Sequence, residues 1–584
     1  MAKATVPLPP SGSAEQVFQA RMHEALGHLH AGRAAQALQC CSAILKQFPQ
    51  APDALNIAAI AAYQTGQLDK ALKLLKKALK LKPDWADARA NLGLVFLDLE
   101  KPALAVQELR HAIRLNPGHA NAHADLALAL NFEGRLIEAE KAARQAVELA
   151  PDKAKAWNTL GIVLQSRDAV DDAEQAFREA IRLAPAHVHA CVNLAGLLES
   201  VNRAHDIADV YSDAAKLGIR DPRLDVYMAK ALRREKRYAE ARALLAPLTD
   251  ATLAAPVMQM AHNELGMLAN AEDDPATAMA CFQRSNDIAR TQIATGARTD
   301  YALKEARVMR RFVEEHALTA PAPLEGVKTP VFLVGFPRSG TTLLDQILSG
   351  HPNLVTIEEK PIAAELLHRV EAMGPGFPDA LIDMDDDTRR TLAQLYWEKA
   401  AEVATWQDGD LVIDKLPLNA RLVPLLWTVF PRAKFIIALR HPADACLSCF
   451  MQNFKLNDAM ANFLTIDDTV ALYEAVMDAW LAARQALPIA AHSVRYEDVV
   501  DDLEGEARKL LGFLDQEWDD GVLDYRASAE AKKAIHTPSY HQVVQPIYRH
   551  ARFRWTRYAE HIGAPALKRL APFAEAFGYD MDAG

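Results

Sequence analysis

A 34-residue period in the first half of the chain is the feature that most constrains its fold. Prolines stand at positions 49, 83, 117, 151 and 185, and three further positions keep the same step. Those further positions are Ala37, Ala71, Ala105, Ala139 and Ala173; Ala78, Ala112, Ala146 and Ala180; and Leu92, Leu126, Leu160 and Leu194. Four positions that stay in phase over five periods exclude coincidence, so this segment is a repeat array.

Each unit of the array reads as two apolar-striped helices, separated by turn residues such as Gly66 and Gly134. Small residues let the two helices approach closely, and the proline ends the second helix. The pattern resembles the tetratricopeptide repeat, whose period is also 34 residues. The resemblance implies stacking into a superhelix with a concave groove. We expect a peptide or protein in that groove; a scaffold or dimerisation surface is the alternative.

Composition excludes several other classes of protein. The 584 residues predict two or three domains, and the net charge of -11 argues against nucleic acid as the main partner. Six scattered cysteines give no disulfide framework, and the isolated pair Cys446 and Cys449 predicts no metal site. The N-terminus lacks the apolar run of a signal peptide, and no stretch approaches the roughly 20 apolar residues of a membrane span. The sequence therefore predicts a cytoplasmic protein.

The second half of the chain alternates short β runs with helices. Strands are predicted at 331–334, 411–413, 435–439 and 492–494, and helices near 341–349, 418–429, 443–454 and 467–486. This alternation predicts a parallel sheet with ligands at the carboxyl ends of its strands. We expect a flexible N-terminus over 1–16, the array over 17–220, a degenerate helical linker over 221–320 and the α/β domain over 327–584. One further degenerate repeat is expected near 256–290 within that linker.

A glycine-bounded turn follows the first predicted strand and runs from Gly335 to Thr342. A strand, a tight turn and a helix N-terminus together form an anion site, because backbone N–H groups and the positive helix end converge there. The spacing is that of a P-loop, but Thr341 stands where nucleotide kinases need a lysine. The only cation of the loop is Arg338. The loop is therefore suited to an anion but not to ordinary ATP chemistry.

The string Pro337-Arg-Ser-Gly-Thr-Thr342 resembles the 5′-phosphosulfate loop of sulfotransferases that use 3′-phosphoadenosine 5′-phosphosulfate (PAPS). The resemblance implies an α/β P-loop-like sulfotransferase domain behind the all-α array. It also implies that Arg338, Ser339, Gly340, Thr341 and Thr342 bind the donor. PAPS would be the donor substrate, adenosine 3′,5′-bisphosphate (PAP) the product, and no metal is expected.

A second family motif follows about 100 residues later, where Arg440 ends a predicted strand and Ser448 lies in the next helix. The family places an arginine and a serine at this separation on the 3′-phosphate, and a guanidinium fork suits that dianion. The resemblance also implies that Tyr496, after the fourth predicted strand, lies near the same phosphate. The alternatives are a structural arginine, an ordinary helical serine and a packing aromatic.

The branch of the family is indicated by Lys415 and by Glu358-Glu359. Cytosolic small-molecule sulfotransferases have a histidine base where this chain has Lys415, and a lysine there suits donation to the leaving oxygen instead. His351-Pro352 followed by Glu358-Glu359 is similar to tyrosylprotein sulfotransferases. That resemblance implies Glu359 as the base, with Glu358 as the fallback. Otherwise the two glutamates open a helix.

A third stretch agrees with the same branch. Ser539 begins S-x-x-Q-V-x-x-P, and Arg554-Trp555-Thr556 follows. The resemblance implies that Ser539 stabilises the transition state together with Lys415, and that Arg554 contacts a donor phosphate. Packing of a C-terminal loop on the sheet is the alternative.

The sequence thus predicts a sulfotransferase that moves a sulfuryl group from PAPS to an acceptor hydroxyl. Protein tyrosine is the first choice of acceptor, with the array recruiting the acceptor or another partner. The open alternatives are a glycan or lipid sulfotransferase, a P-loop nucleotide kinase, and an inactive adaptor. Animal members of this branch are anchored in the Golgi membrane and lack the array, so the resemblance does not fix the acceptor.

Overall fold

A computed structural model describes residues 12–293, 300–525 and 552–581. The chain forms two compact units, one of residues 1–197 and 209–221 and the other of residues 198–208 and 222–584. The second unit therefore contains both a group of helices and the whole sheet. None of the helices in the described ranges has the length and apolar character needed to cross a bilayer.

The repeat array is built from antiparallel helix pairs, as the 34-residue period predicts. The helices of this part are α1 (Gly12–His30), α2 (Ala34–Gln47), α3 (Pro52–Gln64), α4 (Leu68–Leu81), α5 (Ala86–Asp98), α6 (Pro102–Leu115), α7 (Ala120–Phe132), α8 (Leu136–Leu149), α9 (Ala154–Ser166), α10 (Val170–Leu183), α11 (Val188–Ser200) and α12 (Ala204–Lys216). The alanines that repeat in sequence, Ala71 and Ala78 among them, are fully buried between the helices.

Close approach within a helix pair depends on glycine. A Cβ atom added to Gly161 of α9 would lie 2.5 Å from the Phe177 ring of α10, and one added to Gly93 of α5 would lie 2.5 Å from Leu109 of α6. Both pairs are 16 residues apart. A glycine on the first helix thus makes room for a large apolar side chain on the second, which is the close packing expected of protein interiors.

The helices that precede the sheet belong to the second unit. They are α13 (Pro222–Arg234), α14 (Tyr238–Leu245), a 3-10 helix (Ala246–Thr249), α15 (Ala255–Ala271), α16 (Pro275–Thr291) and α17 (Tyr301–Glu315). We call α15 and α16 the 255–291 hairpin. A Cβ on its Gly266 would lie 2.7 Å from Phe282, again 16 residues on. The hairpin therefore has the same glycine-over-aromatic contact as the array.

Five parallel strands form the sheet, in the order β2-β3-β1-β4-β5. They are β1 (Val331–Gly335), β2 (Leu354–Glu358), β3 (Leu411–Lys415), β4 (Lys434–Leu439) and β5 (Ala490–Arg495). The predicted parallel α/β fold is confirmed, and four of these strands lie where the sequence predicts them. Strand β2 was not predicted.

Helices cover both faces of the sheet. They are α18 (Thr341–Ser349), α19 (Ile362–Glu371), α20 (Asp386–Ala401), α21 (Val423–Val429), α22 (Pro442–Phe450), α23 (Ile466–Ala486), α24 (Tyr496–Asp501), α25 (Leu503–Phe513), α26 (Ala559–Ile562) and α27 (Ala564–Ala576). Short 3-10 helices lie at Asp379–Leu381, Pro417–Leu422, Met460–Leu464, Asp520–Leu523 and Arg554–Tyr558.

Alternate residues of β1 enter separate cores on the two faces of the sheet. Phe332 and Val334 pack into one core, and Val331 and Leu333 into the other. A strand buried on both faces reads as a continuous apolar run, as β1 does. Because both faces of β1 are packed against apolar cores, the carboxyl ends of the strands are where polar side chains can cluster.

Replacing Gly161 with alanine tests the close helix approach. The added methyl group would overlap the buried Phe177 ring, and we expect a loss of about 1–3 kcal/mol in the free energy of unfolding. Thermal unfolding followed by circular dichroism measures this loss. Adding Phe177→Leu should restore part of it, because Gly93 already faces a leucine in the same arrangement.

Gly27→Ala is the matched control, since a Cβ at this exposed position of α1 meets nothing within 4 Å. This change should leave stability equal or raise it by up to about 1 kcal/mol. An unchanged unfolding midpoint for Gly161→Ala would contradict the packing argument.

Candidate active site

Each strand of the sheet ends at, or directly before, a residue or loop that the sequence predicts for the site. Strand β1 runs into the Gly335–Thr342 loop, β2 ends at Glu358, β3 ends at Lys415, β4 is followed by Arg440, and β5 is followed by Tyr496. Since all the strands are parallel, these ends share one edge of the sheet. The polar residues predicted from five separate segments therefore gather at that edge.

The loop after β1 is held in a backbone conformation that favours glycine. Gly340 has φ +94° and immediately precedes α18, and Arg338 has φ +69°. A Cβ on Gly335 would lie 2.6 Å from the Ala438 carbonyl oxygen of β4, and one on Gly340 would lie 3.0 Å from the Tyr496 ring. The loop is thus packed closely between two strand ends, with the N-terminus of α18 opening from it. This arrangement suits an anion.

Four of the predicted donor-binding residues are in mutual contact. The Arg338 Nε atom donates to Ser448 Oγ at 3.1 Å, and Arg440 Nη1 donates to the Arg338 carbonyl at 3.3 Å. The Arg440 guanidinium also lies over the Tyr496 ring, 5.0 Å from its centroid. Two guanidinium groups, a hydroxyl and an aromatic ring therefore surround the loop.

A second group of charges gathers around Lys415. Its Nζ atom donates to Glu358 Oε1 at 3.1 Å and to Glu359 Oε1 at 3.0 Å. The lysine side chain is fully buried, whereas the Glu359 side chain is 34% exposed. Glu359 therefore pairs with a buried cation and is still accessible from outside.

The charge state of Lys415 follows from these neighbours. Burial works against the charged form, but the Glu359 and Glu358 carboxylates outweigh it, and the pKa of Lys415 is raised above its ordinary value. Asp345 of α18 adds to the same effect. A lysine with a raised pKa stays protonated and can donate a proton or hydrogen bond, but it cannot serve as a base at neutral pH.

Register and backbone geometry place the two glutamates. Glu358 is the β2 residue opposite Lys415, and the Glu359 N–H donates to the Lys415 carbonyl at 2.8 Å. Glu359 then takes φ +48°, an unfavourable conformation for a glutamate that carries strain. The alternative in which these glutamates open a helix is wrong, because β2 ends at Glu358 and α19 begins only at Ile362.

The remaining predicted residues are placed as follows. The side chains of Ser339, Thr341 and Thr342 are buried at the start of α18. Arg554 opens the 3-10 helix Arg554–Tyr558, where the Trp555 N–H donates to Asp444 of α22 at 2.8 Å. Ser539 lies outside the described residues. The roles predicted for Arg554 and Ser539 stay predictions.

Three features of the site were missed in the sequence. The first is β2, which carries Glu358. The second is Asp345, whose carboxylate is fully buried. The sequence feature that could have revealed it is that Asp345 is the one charged residue of α18. The third is Asp414, which precedes Lys415 on β3 and accepts a hydrogen bond from the Tyr396 hydroxyl at 3.1 Å. Burial raises the pKa of Asp414 to about 7, although the Tyr396 hydroxyl works in the opposite direction.

The two cysteines of the C-x-x-C string lie on α22, on either side of Ser448. Both are buried, and the Cys449 thiol contacts the Pro337 carbonyl of the loop at 3.3 Å. Burial raises the thiol pKa of both residues. They therefore behave as small packing residues. In the described part of the chain, metal-ligand atoms approach one another within 4.8 Å at Glu24, His28 and Cys40, on α1 and α2.

Comparison with known families identifies both parts of the chain. Residues 330–520 match the sulfotransferase family. Residues 61–100, 86–119 and 132–188 match tetratricopeptide repeats. The predicted order, a tetratricopeptide array followed by a sulfotransferase domain, is confirmed. Repeats of this kind suggest protein–protein interaction.

Individual relatives cover either part of the chain. The chain is 27% identical over 303 residues to an uncharacterized protein of Aquifex aeolicus (strain VF5); the match covers 49% of this chain and 38% of that protein. It is 25% identical over 266 residues to protein-tyrosine sulfotransferase 1 of Danio rerio, covering 43% of this chain and 73% of that protein. Among solved structures, a thermophilic tetratricopeptide-repeat protein of Thermus thermophilus is 24% identical, covers 31% of this chain and 98% of its own, and has a TM-score of 0.29.

Asp414→Asn tests the buried carboxyl group of the residue that precedes Lys415 on β3. Its folded-state pKa of about 7 exceeds the unfolded value, so the folded state binds more protons between about pH 4 and pH 7. Stability therefore falls as the pH rises through that window, and the asparagine variant should lose this slope. Relative to the parent, the free energy of unfolding of the variant should therefore increase by on the order of 2 kcal/mol from pH 5 to pH 8.

Urea unfolding at both pH values measures this difference. Asp408→Asn, at an exposed position of the turn before β3, should follow the parent at each pH. Parallel pH profiles for the parent and Asp414→Asn would show that Asp414 does not titrate as described.

Proposed function

We propose that this protein transfers a sulfuryl group from PAPS to an acceptor hydroxyl, and that the acceptor is tyrosine in a protein. One observation carries the proposal: a single edge of the parallel sheet brings the Arg338–Ser448–Arg440–Tyr496 network together with the Lys415–Glu359 pair. The first group suits a nucleotide with phosphates at both ends of its ribose. The second group supplies an acid and a base.

The residues present fit the donor. The loop and the N-terminus of α18 offer N–H groups to the 5′-phosphosulfate, with Arg338 as the cation of the loop. Arg440 and Ser448 would hold the 3′-phosphate, and a guanidinium provides two parallel donors to such a dianion. Thr341 leaves the loop without the lysine of nucleotide kinases, which favours PAPS over ATP as its ligand.

Transfer requires one proton acceptor and one stabiliser of negative charge. Glu359 would take the proton of the acceptor hydroxyl as that oxygen bonds to sulfur. The bond between sulfur and the bridging phosphate oxygen breaks, and the electron pair stays on the departing PAP. Protonated Lys415, with Ser539 as the predicted helper, would stabilise that oxygen. Hydrogen-bond donors aimed at developing charge are among the largest contributions to catalysis.

The acceptor is proposed from the relatives and the architecture. The Danio rerio relative is named a protein-tyrosine sulfotransferase, and its match covers 43% of this chain. Tetratricopeptide arrays offer extended concave surfaces to polypeptides. Both points support a polypeptide acceptor, with the array recruiting it or a partner protein.

Glu359→Gln tests the proposed base. The amide keeps the shape of the side chain but cannot take a proton, so turnover should fall by on the order of 10²–10⁴-fold. Affinity for PAP, measured by calorimetry, should stay close to that of the parent. Glu358→Gln is the matched control, since Glu358 shares the contact with Lys415. Full activity of Glu359→Gln would refute its role, and loss confined to Glu358→Gln would transfer that role to Glu358.

The donor and the acceptor are tested separately. Calorimetry should detect binding of PAP, and ATP should bind at least roughly tenfold more weakly; tighter binding of ATP would favour a kinase. Incubation of the full chain with ³⁵S-labelled PAPS and fractionated lysate should place the label on protein tyrosine. Label found only in carbohydrate or lipid would overturn the proposed acceptor while leaving the donor in place.

A further inference from the structure

Helix α22, which carries Ser448, ends in carbonyl groups that side chains from another part of the chain satisfy. The last carbonyls of any helix lack partners within it. Here the Met451 N–H reaches the Leu447 carbonyl at 3.0 Å, and the Gln452 N–H reaches the Cys449 carbonyl at 3.1 Å. The carbonyls of Phe450 and Met451 instead accept hydrogen bonds from two asparagine amides.

Both asparagines belong to the 255–291 hairpin. Asn286 of α16 donates to the Phe450 carbonyl at 3.0 Å, and Asn263 of α15 donates to the Met451 carbonyl at 3.1 Å. Asn286 is only 4% exposed, and Phe450 is fully buried. A buried carbonyl that loses its donor is costly. The hairpin therefore fixes the position of the last turn of α22.

The hairpin makes further contacts around the same helix. Gln259 donates to Asn453 Oδ1 at 2.9 Å, just beyond the end of α22. The Tyr558 hydroxyl donates to Asn270 at 2.8 Å, from the 3-10 helix whose Trp555 N–H reaches Asp444. The hairpin thus holds α22 both directly and through its neighbour.

The opposite side of α22 faces the phosphate loop. Ser448 accepts a hydrogen bond from Arg338, and the next residue, Cys449, contacts the Pro337 carbonyl. Ser448 lies two residues before the carbonyl that Asn286 binds. A displacement of that last turn would therefore move the Ser448 hydroxyl relative to the loop.

We infer that the 255–291 hairpin is a positioning element of the donor site: Asn286 and Asn263 hold α22 so that Ser448 meets the 3′-phosphate. The inference rests on the proposed function, because it takes the 3′-phosphate of PAPS as the group that Ser448 and Arg440 bind. It gives the 255–291 hairpin a task in the proposed donor site. The side-chain amides of both asparagines are bonded to backbone carbonyls at the end of α22, so we expect both residues to act through that helix.

The experiment compares Asn286→Leu with Gln283→Leu in the full chain. Leucine resembles asparagine in size but donates no hydrogen bond. Gln283 is the matched control, because it is exposed one turn earlier on α16 and donates within that helix, to Asp287. The two ligands are PAP and adenosine 5′-monophosphate, which lacks the 3′-phosphate. Calorimetry, with competition for the weaker ligand, gives both affinities.

We expect Asn286→Leu to weaken PAP binding by roughly 5- to 30-fold and to leave adenosine 5′-monophosphate binding within about twofold. In turnover, KM for PAPS should rise while kcat changes little, since Glu359 and Lys415 are untouched. Gln283→Leu should match the parent in its affinity for both ligands and in its turnover. A purely structural role would instead weaken both ligands together.

Asn263→Leu serves as the second variant. Asn263 is only half-buried, so we expect the loss of its hydrogen bond to cost less stability than the loss at Asn286. This variant should also weaken PAP binding selectively, by a smaller factor than Asn286→Leu. Equal loss for both ligands, or no loss for PAP in either variant, would overturn the inference. If the parent itself binds PAP no better than adenosine 5′-monophosphate, the proposed donor is wrong, and the inference is rejected together with it.

Discussion

The contact of the buried Lys415 ammonium with the Glu358 and Glu359 carboxylates is the interaction on which the candidate active site depends. Taking a charge out of water is costly unless opposite charges and hydrogen bonds meet it. Two glutamates do so here, at 3.1 and 3.0 Å. Removing one partner from a buried pair typically costs about 3–5 kcal/mol, so the lysine holds β2 against β3 and keeps Glu359 at the edge. The positive φ of Glu359 is maintained against its strain by these contacts.

The parts of the site that sequence could predict are those encoded locally. The loop can be read from Gly335 to Thr342 because its backbone needs glycine, and because the residues that form it are contiguous. Arg440 and Ser448 are readable for a similar reason, since a strand end and the next helix fix their separation. The location of these residues at strand ends was thus predictable. The contacts between them were not, because each contact joins residues from two distant segments of the chain.

The parts that sequence could not predict depend on distant partners. Strand β2 has five residues and pairs only with β3 within the described sheet. Thr356 and Glu358 interrupt its apolar residues, so the continuous apolar run is only two residues long. The contact of Asn286 with Phe450 joins residues 164 positions apart. From the sequence alone, an asparagine in a degenerate repeat is expected at the surface, and only its contact with Phe450 distinguishes Asn286 from a surface residue. Asp414 is similar, because only burial against Tyr396 distinguishes it from an ordinary strand-end acid.

The convergence of five strand ends has a consequence for how activity arises during folding. The proposed binding and chemistry draw on segments that run from Gly335 to Tyr496, and no contiguous peptide holds more than a fraction of them. A partly assembled sheet would have a loop without its arginine partner, or a lysine without its glutamates. Under the proposed function, catalysis would therefore require the completed sheet, and turnover would report on completion of the sheet more sharply than helix content does.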